Sequence, residues 1–95
     1  MFTVKVIEQY QCKIGKKDSI IKKTRIFTTP SIEVDEFEEE YLVTINEGKI
    51  LSVPMHHFPS RLELQDDSFI EAIYIENANG KTVHAVRSSP IIGIK

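Results

Sequence analysis

The chain has 95 residues, of which 41% are hydrophobic and 27% charged, and its formal net charge at pH 7 is -2. This length predicts a single domain over residues 1–95, and this composition excludes an intrinsically disordered chain. No apolar run approaches the roughly 20 residues that a membrane-spanning helix needs, and the first residues lack the basic region and apolar block of a secretion signal. A single cysteine, Cys12, cannot form an internal disulfide. We therefore expect no membrane association and a reducing, cytoplasmic location.

Residues branched at Cβ dominate the composition. The chain has 14 isoleucines, 7 valines and 6 threonines but only 4 leucines and 3 alanines. Branching at Cβ suits the pleated surface of a sheet, whereas leucine and alanine are strong helix formers. The composition therefore predicts a mainly β protein.

The first thirty residues predict a β-hairpin. Residues 2–14 alternate between apolar and polar side chains, with Ile7 and Glu8 as the exceptions, which is typical of a strand with one solvent-exposed face. Residues 15–19 are rich in turn formers, and residues 20–29 form a second predicted strand that pairs back. In that second strand apolar residues are adjacent at 20–21 and at 26–27. This pattern indicates either a bulge or a lysine-rich edge strand.

Residues 33–40 leave two interpretations open. Val34, Phe37 and Tyr41 have helical spacing, and the glutamates between them favour helix. Ile32 and Val34 also alternate as the residues of a strand do. We expect either one short helix or an acidic loop over residues 33–40.

The middle of the chain predicts one hairpin and one short strand. Residues 41–45 and 50–53 are β-rich and flank a loop in which Gly48 supplies the positive φ of a tight turn. Residues 61–64 predict a further strand, which follows an irregular connection bracketed by prolines at residues 54–59.

The strongest local pattern predicts a hairpin over residues 69–87. Asn79 and Gly80 lie between two β-rich runs and favour a two-residue type I′ turn, which requires positive φ at both positions. That turn fixes two residue pairs: Tyr74 with Ala85, and Ile73 with Val86. Both faces of the hairpin are apolar, so we expect it to be central in its sheet and covered on both sides.

About seven strands at spacings near ten residues predict an all-β fold, either a small antiparallel barrel or a two-layer sandwich. After Pro90 the chain continues with the apolar residues 91–94. An apolar terminal segment of this kind either adds a strand to its own sheet or docks on another chain.

Charge is segregated along the chain. Residues 1–25 carry seven basic and two acidic residues, whereas residues 33–76 carry twelve acidic and two basic ones. The predicted first hairpin is thus basic, and residues 33–40 form an acidic block. Three interpretations are open: a solvated surface, a complementary protein contact, or an anion-binding site. The residues that we assign to partner or anion binding are Lys13, Lys16, Lys17, Lys22, Lys23 and Arg25.

No catalytic or metal-binding pattern emerges. His56 and His57 are adjacent, so they point to opposite faces of a strand, and no third ligand follows at a motif spacing. His84 lies on a predicted covered face, and Cys12 lies on the apolar face of the first strand, where a buried thiol is unreactive. The sequence has no glycine-rich phosphate loop and no EF-hand or zinc-site spacing. We therefore assign no catalytic residue, no metal and no cofactor.

We expect a small, soluble, non-enzymatic binding or accessory module that contacts a protein partner and self-associates, for instance as a homodimer. Ile91, Ile92 and Ile94 are assigned to docking of a partner or a second copy. The alternative is an anion-binding module that grips a nucleotide or single-stranded nucleic acid with the basic hairpin. The net negative charge and the presence of only three arginines weigh against nucleic acid. A third hypothesis, a small enzyme, requires His57 or His84 to meet Cys12 or a carboxylate.

Overall fold

The computed structural model describes residues 1–14, 17–57 and 67–91 and, within them, all side chains except those of residues 11–14, 17–19, 47 and 67. In these residues the chain forms nine strands, one 3₁₀ turn at Asn46–Gly48 and no α-helix, which confirms the prediction of a mainly β protein. The same ranges contain no helix long and apolar enough to cross a bilayer. The strands are β1 (Phe2–Ile14), β2 (Lys17–Thr29), β3 (Glu33–Phe37), β4 (Glu40–Thr44), β5 (Ile50–Pro54), β6 (His56–His57), β7 (Asp67–Glu76), β8 (Thr82–Arg87) and β9 (Ser89–Pro90).

These strands form three sheets. The largest has four antiparallel strands in the order β2-β1-β7-β8. The second has three antiparallel strands in the order β3-β4-β5, and the third is a short parallel pair of β6 and β9. The described strands form no closed barrel. Of the two predicted architectures, the barrel and the two-layer sandwich, the sandwich is therefore the one that fits.

The core lies between the four-stranded and three-stranded sheets. One cluster of buried valines and isoleucines draws on both sheets: Val4, Val6, Val43, Ile45, Val53, Ile73, Ile75 and Val86. Across the β1–β7 ladder, Val4 lies opposite Ile75 and Val6 opposite Ile73. β-Branched side chains therefore lie side by side on one face, where their stiff rotamers pack well against the second sheet.

The first predicted hairpin forms β1 and β2. Its register runs without interruption from Phe2 opposite Thr29 to Ile14 opposite Lys17. Of the two explanations for the adjacent apolar residues in β2, the edge strand holds and the bulge does not. The turn predicted over residues 15–19 is too long, because β2 already begins at Lys17. Residues 15–16 lie outside the described residues, as does the predicted strand at residues 61–64.

A bulge does occur, but in β7. Ile7 pairs with Ala72 and Glu8 with Ile70, which leaves Glu71 without a partner on β1. A bulge places one additional residue on one strand and redirects its side chain. Glu71 is thereby available for contacts that a regular ladder would not give it.

Residues 33–40 form a β-hairpin, so the expectation of a short helix or an acidic loop is wrong. β3 pairs with β4, Val34 lies opposite Val43, and Glu38 starts the turn between the strands with a φ of 57°. Val34 packs against the core. Burial of this side chain against a second sheet overrides the helix preference of the surrounding glutamates.

The predicted register of the last hairpin is confirmed, with Tyr74 opposite Ala85 and Ile73 opposite Val86. The expectation that the hairpin is central and covered on both sides is wrong for its second strand. β8 is the outermost strand of the four-stranded sheet, and Val83 on its outer face is 40% exposed.

The turn of this hairpin is not the predicted type I′ turn. Gly80 has a φ of 82°, but Asn79 has no positive φ. The Asn77 N–H donates to the Lys81 carbonyl at 2.8 Å, and the Asn77 side chain accepts the N–H groups of Asn79 and Lys81 at 2.9 and 3.0 Å. The side chain of Asn77 thus favours a three-residue loop ending in a left-handed glycine.

Replacing Ile73 by alanine should strongly destabilise the fold. Ile73 is fully buried in the core, and loss of such a side chain lowers the free energy of unfolding by roughly 2–5 kcal/mol. Ile50→Ala makes the same chemical change at a side chain that is 57% exposed, and it should alter that free energy by less than about 1 kcal/mol. Urea denaturation measures both, and equal losses would contradict the assigned core.

Glu38→Gly should stabilise the protein by about 1 kcal/mol, because the left-handed conformation at Glu38 strains every residue except glycine. Glu39→Gly removes the same charge from the same turn at a position without positive φ, and it should not stabilise. Thermal denaturation of the two variants compares them. Equal stabilisation would attribute the effect to loss of charge rather than to turn geometry.

Candidate functional site

The free edge of β2 is long and largely exposed in its described part. This strand of 13 residues pairs with β1 on one side, and no described strand pairs with its other side. Its isoleucines are unusually accessible: Ile20 is 46%, Ile21 48% and Ile26 61% exposed. A long edge that carries apolar side chains is a template for pairing with another chain.

Three of the predicted binding residues, Lys22, Lys23 and Arg25, are exposed along this edge. The Lys22 ammonium lies 3.2 Å from the carboxylate of Glu71, and the Arg25 guanidinium lies 3.4 Å from that of Glu8. Among the described residues Lys23 makes no ion pair. The edge therefore keeps an excess of positive charge, although two of its cations already have carboxylate neighbours.

Glu8 holds two partners at once. Besides Arg25, it accepts a hydrogen bond from the Tyr10 hydroxyl at 3.2 Å. This hydrogen bond, together with the negative charge of Glu8, raises the pKa of the Tyr10 phenol. The phenol is thus a neutral donor that helps to fix Glu8 beside the basic edge.

Two of the remaining predicted cations, Lys13 and Lys17, lie toward the end of the hairpin that is far from Phe2. Lys13 is near the end of β1, and Lys17 begins β2, opposite Ile14. Their side chains, and Lys16 as a whole, lie outside the part of the chain that the structure describes. The assignment of these three lysines stays a prediction.

The predicted docking tail begins by pairing within its own chain. The Ser89 N–H donates to the Met55 carbonyl at 2.8 Å, and the Ile91 N–H donates to the His57 carbonyl at 2.7 Å. Ile91 is half-buried, whereas Ile92 and Ile94 lie outside the described residues. The role of these isoleucines in docking stays a prediction.

A polar cluster that the sequence did not reveal surrounds the bulge in β7. The Gln9 amide donates to the Glu71 carboxylate at 3.1 Å, and Lys22 contacts the same carboxylate. The His57 ring lies 5.0 Å from the ring of Phe69 between centroids. We call this set the bulge cluster; its members are Gln9, Lys22, His57, Phe69, Glu71 and Ser88.

The bulge cluster contains a histidine–serine contact that resembles part of a nucleophilic site. His57 Nδ1 lies 2.7 Å from Ser88 Oγ. Acyl transfer also needs N–H donors aimed at the developing oxyanion. The backbone N–H groups of Ser88 and Ser89 already donate to carbonyls of other segments, and Pro90 has none. Within the described residues we therefore interpret this contact as structural.

No protein-family model, curated sequence or solved structure matches this chain. Residues 1–14, 17–57 and 67–91 also contain no group of three or more histidine, cysteine, aspartate or glutamate side chains placed to hold a metal ion. Any assignment of function therefore depends on the contacts, exposure and charge described above.

The His57 side chain should make stability depend on pH. Burial lowers the pKa of its imidazole. The negative charge of Glu71 opposes this shift, and the positive charge of Lys22 adds to it. Between that lowered pKa and the unfolded value near 6.5, the unfolded chain binds more protons than the folded one. The contribution of His57 to the free energy of unfolding is therefore complete above about pH 6.5, and it is lost as the pH falls from there through the lowered pKa.

Urea denaturation of the wild type and of His57→Gln across this pH range measures the effect. The substitution should flatten the pH dependence, because glutamine keeps a hydrogen-bonding side chain but does not titrate. His56→Gln, at the neighbouring exposed position, is the control and should keep the dependence of the wild type. A profile that His57→Gln leaves unaltered would assign the dependence to other groups.

Proposed function

We propose that this chain is a non-enzymatic protein-binding module that takes up an extended acidic segment of a partner as an additional strand along β2. The observation that supports this proposal is the free edge of β2, which combines accessible isoleucines with Lys22, Lys23 and Arg25. The four-stranded sheet would become five-stranded, with the partner strand next to β2.

Backbone pairing supplies the first part of the binding energy. An edge strand presents a row of N–H and C=O groups that no neighbouring strand satisfies, and an extended peptide meets them with its own. The exposed side chains of Ile20, Ile21 and Ile26 add apolar surface on both faces of that edge, because alternate residues point to opposite faces.

The charge of the edge selects the partner. Lys22 and Lys23 point to opposite faces, since they lie opposite Gln9 and Glu8 in the ladder. A strand added beside β2 therefore meets a cation on each of its faces. Carboxylates on the partner would gain attraction there, whereas a basic strand would be repelled.

The ion pairs of Lys22 and Arg25 favour a peptide over nucleic acid. Glu71 and Glu8 lie within 4 Å of these cations, so any anion that approaches either cation, whether a phosphate or a partner carboxylate, also meets a carboxylate. Nucleic acid binding depends on many unshielded cations along the phosphate backbone. A peptide strand needs fewer charges, because its backbone hydrogen bonds contribute as well.

Fluorescence anisotropy with a labelled, end-capped peptide of alternating glutamate and valine tests this proposal. The peptide should bind, and binding should weaken as salt rises because exposed charges are screened. Lys23→Glu should weaken binding roughly fivefold or more, since it replaces an attraction by a repulsion. Lys81→Glu makes the same change at an exposed lysine in the β7–β8 loop, and it should leave the affinity unchanged.

Two further probes decide how the peptide binds. A version of the peptide with N-methylated backbone nitrogens keeps its charge but cannot donate hydrogen bonds, and it should not bind. Equal binding of this version would contradict strand addition. A single-stranded oligothymidylate that binds more tightly than the peptide at low salt would overturn the proposal in favour of anion binding.

A further inference from the structure

The structure has a second free edge, with the opposite charge. β3 is the outermost strand of the three-stranded sheet. Its polar residues, Glu33, Asp35 and Glu36, are all exposed, and Phe37 at its end is 64% exposed. β3 therefore combines the three properties that β2 would require of a partner strand: an extended backbone, acidic side chains and an apolar side chain.

We infer that β3 of one copy pairs with β2 of another, so that the chain self-associates head to tail. This inference rests on the proposed function of β2 and names its occupant as a second copy of this chain. β2 and β3 lie in different sheets and do not pair with each other within one molecule.

One antiparallel register satisfies every charged residue of β3. With Asp35 placed opposite Lys23, the alternation of an antiparallel ladder fixes all other pairs. Two more ion pairs and one apolar pair follow: Glu33 with Arg25, Glu36 with Lys22, and Phe37 with Ile21. The remaining residue, Val34, falls opposite Thr24, and both are residue types that favour sheet.

Neighbouring registers do not give this match. A shift of one residue in either direction leaves a single oppositely charged pair, either Asp35 with Lys22 or Glu36 with Lys23. The other carboxylates then lie opposite threonine or isoleucine. Opposite charges directly across a ladder stabilise it, whereas each unpaired charge gains nothing. Of the antiparallel registers within one residue of each other, the register with Asp35 opposite Lys23 thus gives the most ion pairs.

The same register keeps the two molecules apart. On β2, Arg25 lies on the face that points to the core, because it is opposite Val6. On β3, Val34 points to the core and Glu33 points away from it. Pairing Glu33 with Arg25 therefore places the two cores on opposite faces of the continuous sheet, where the molecules do not collide.

Such a contact joins two different surfaces, the β2 edge of one copy and the β3 edge of another. A pair of copies therefore still has one free β3 edge and one free β2 edge. The assembly is therefore open, and its size grows with concentration. Because the contact contains three exposed ion pairs, salt should dissociate it.

Sedimentation velocity across a concentration series tests the inference. The variants exchange the charges of the central pair, Lys23 and Asp35. Lys23→Glu and Asp35→Lys, each in an otherwise native chain, should raise the dissociation constant of self-association roughly fivefold or more. Both residues are exposed, and neither makes an ion pair within the described part of the chain. The double variant restores opposite charges and should regain the association of the wild type. Circular dichroism checks that each variant is folded.

Three outcomes separate this inference from the proposed function. Association that the single variants weaken and the double variant restores supports the pairing of β2 with β3. A chain that stays monomeric up to about 1 mM, or a double variant that associates no better than the single ones, overturns the pairing. If the pairing is overturned in either way but the glutamate–valine peptide still binds, the proposed function of β2 stands. If the peptide also fails to bind, both the pairing and the proposed function are wrong.

Discussion

The burial of one layer of valine and isoleucine between two sheets determines the rest of this structure. The layer takes Val4 and Val6 from β1, but among the described side chains it does not extend to residues 8–10 of β1 or residues 20–23 of β2. On the same face, the positions that follow are Glu8 and Tyr10, with Lys23 and Ile21 opposite them. The exposure of Ile20, Ile21, Lys22 and Lys23 on β2 is therefore a consequence of where the described core ends.

Polar contacts stabilise the part of the β1–β2 hairpin around Gln9 and Lys22, where the core residues end. The bulge in β7 directs Glu71 toward Gln9 and Lys22, so one carboxylate connects β7 to both strands of the hairpin. The Glu71 carbonyl also accepts the N–H of Ser88 at 2.9 Å. Because Gln9 is only 5% exposed, its hydrogen bond to Glu71 is shielded from water and contributes more than an exposed one would. The bulge cluster is therefore best understood as a structural anchor of β2.

The sequence predicts this fold where local patterns and tertiary packing agree. Local patterns predict the alternation in β1, which only Ile7 and Glu8 interrupt, and the register of Ile73 with Val86, because the residues concerned are neighbours in sequence or across one turn. The prediction was wrong for residues 33–40, because Val34 becomes a strand residue only through burial against a sheet built by distant residues. The bulge cluster could not be predicted, since Gln9 and Glu71 are 62 positions apart and nothing local marks the bulge. Among the predicted site residues, the basic stretch was visible as charge, but its position on a free edge required the sheet order.

The charges on the edges of β2 and β3 bear on how a long free strand could bind one kind of partner and still not aggregate. Lysines on an edge strand commonly prevent edge-to-edge aggregation. In this chain they would act in this way between two copies of β2, because a symmetric antiparallel pair would bring cations of the two copies close to one another. The glutamates of β3 exclude pairing of two β3 edges in the same way. Under the proposed strand addition, repulsion would disfavour both symmetric contacts and leave an acidic strand as the better partner, so the same side chains would protect the edge and select what binds to it.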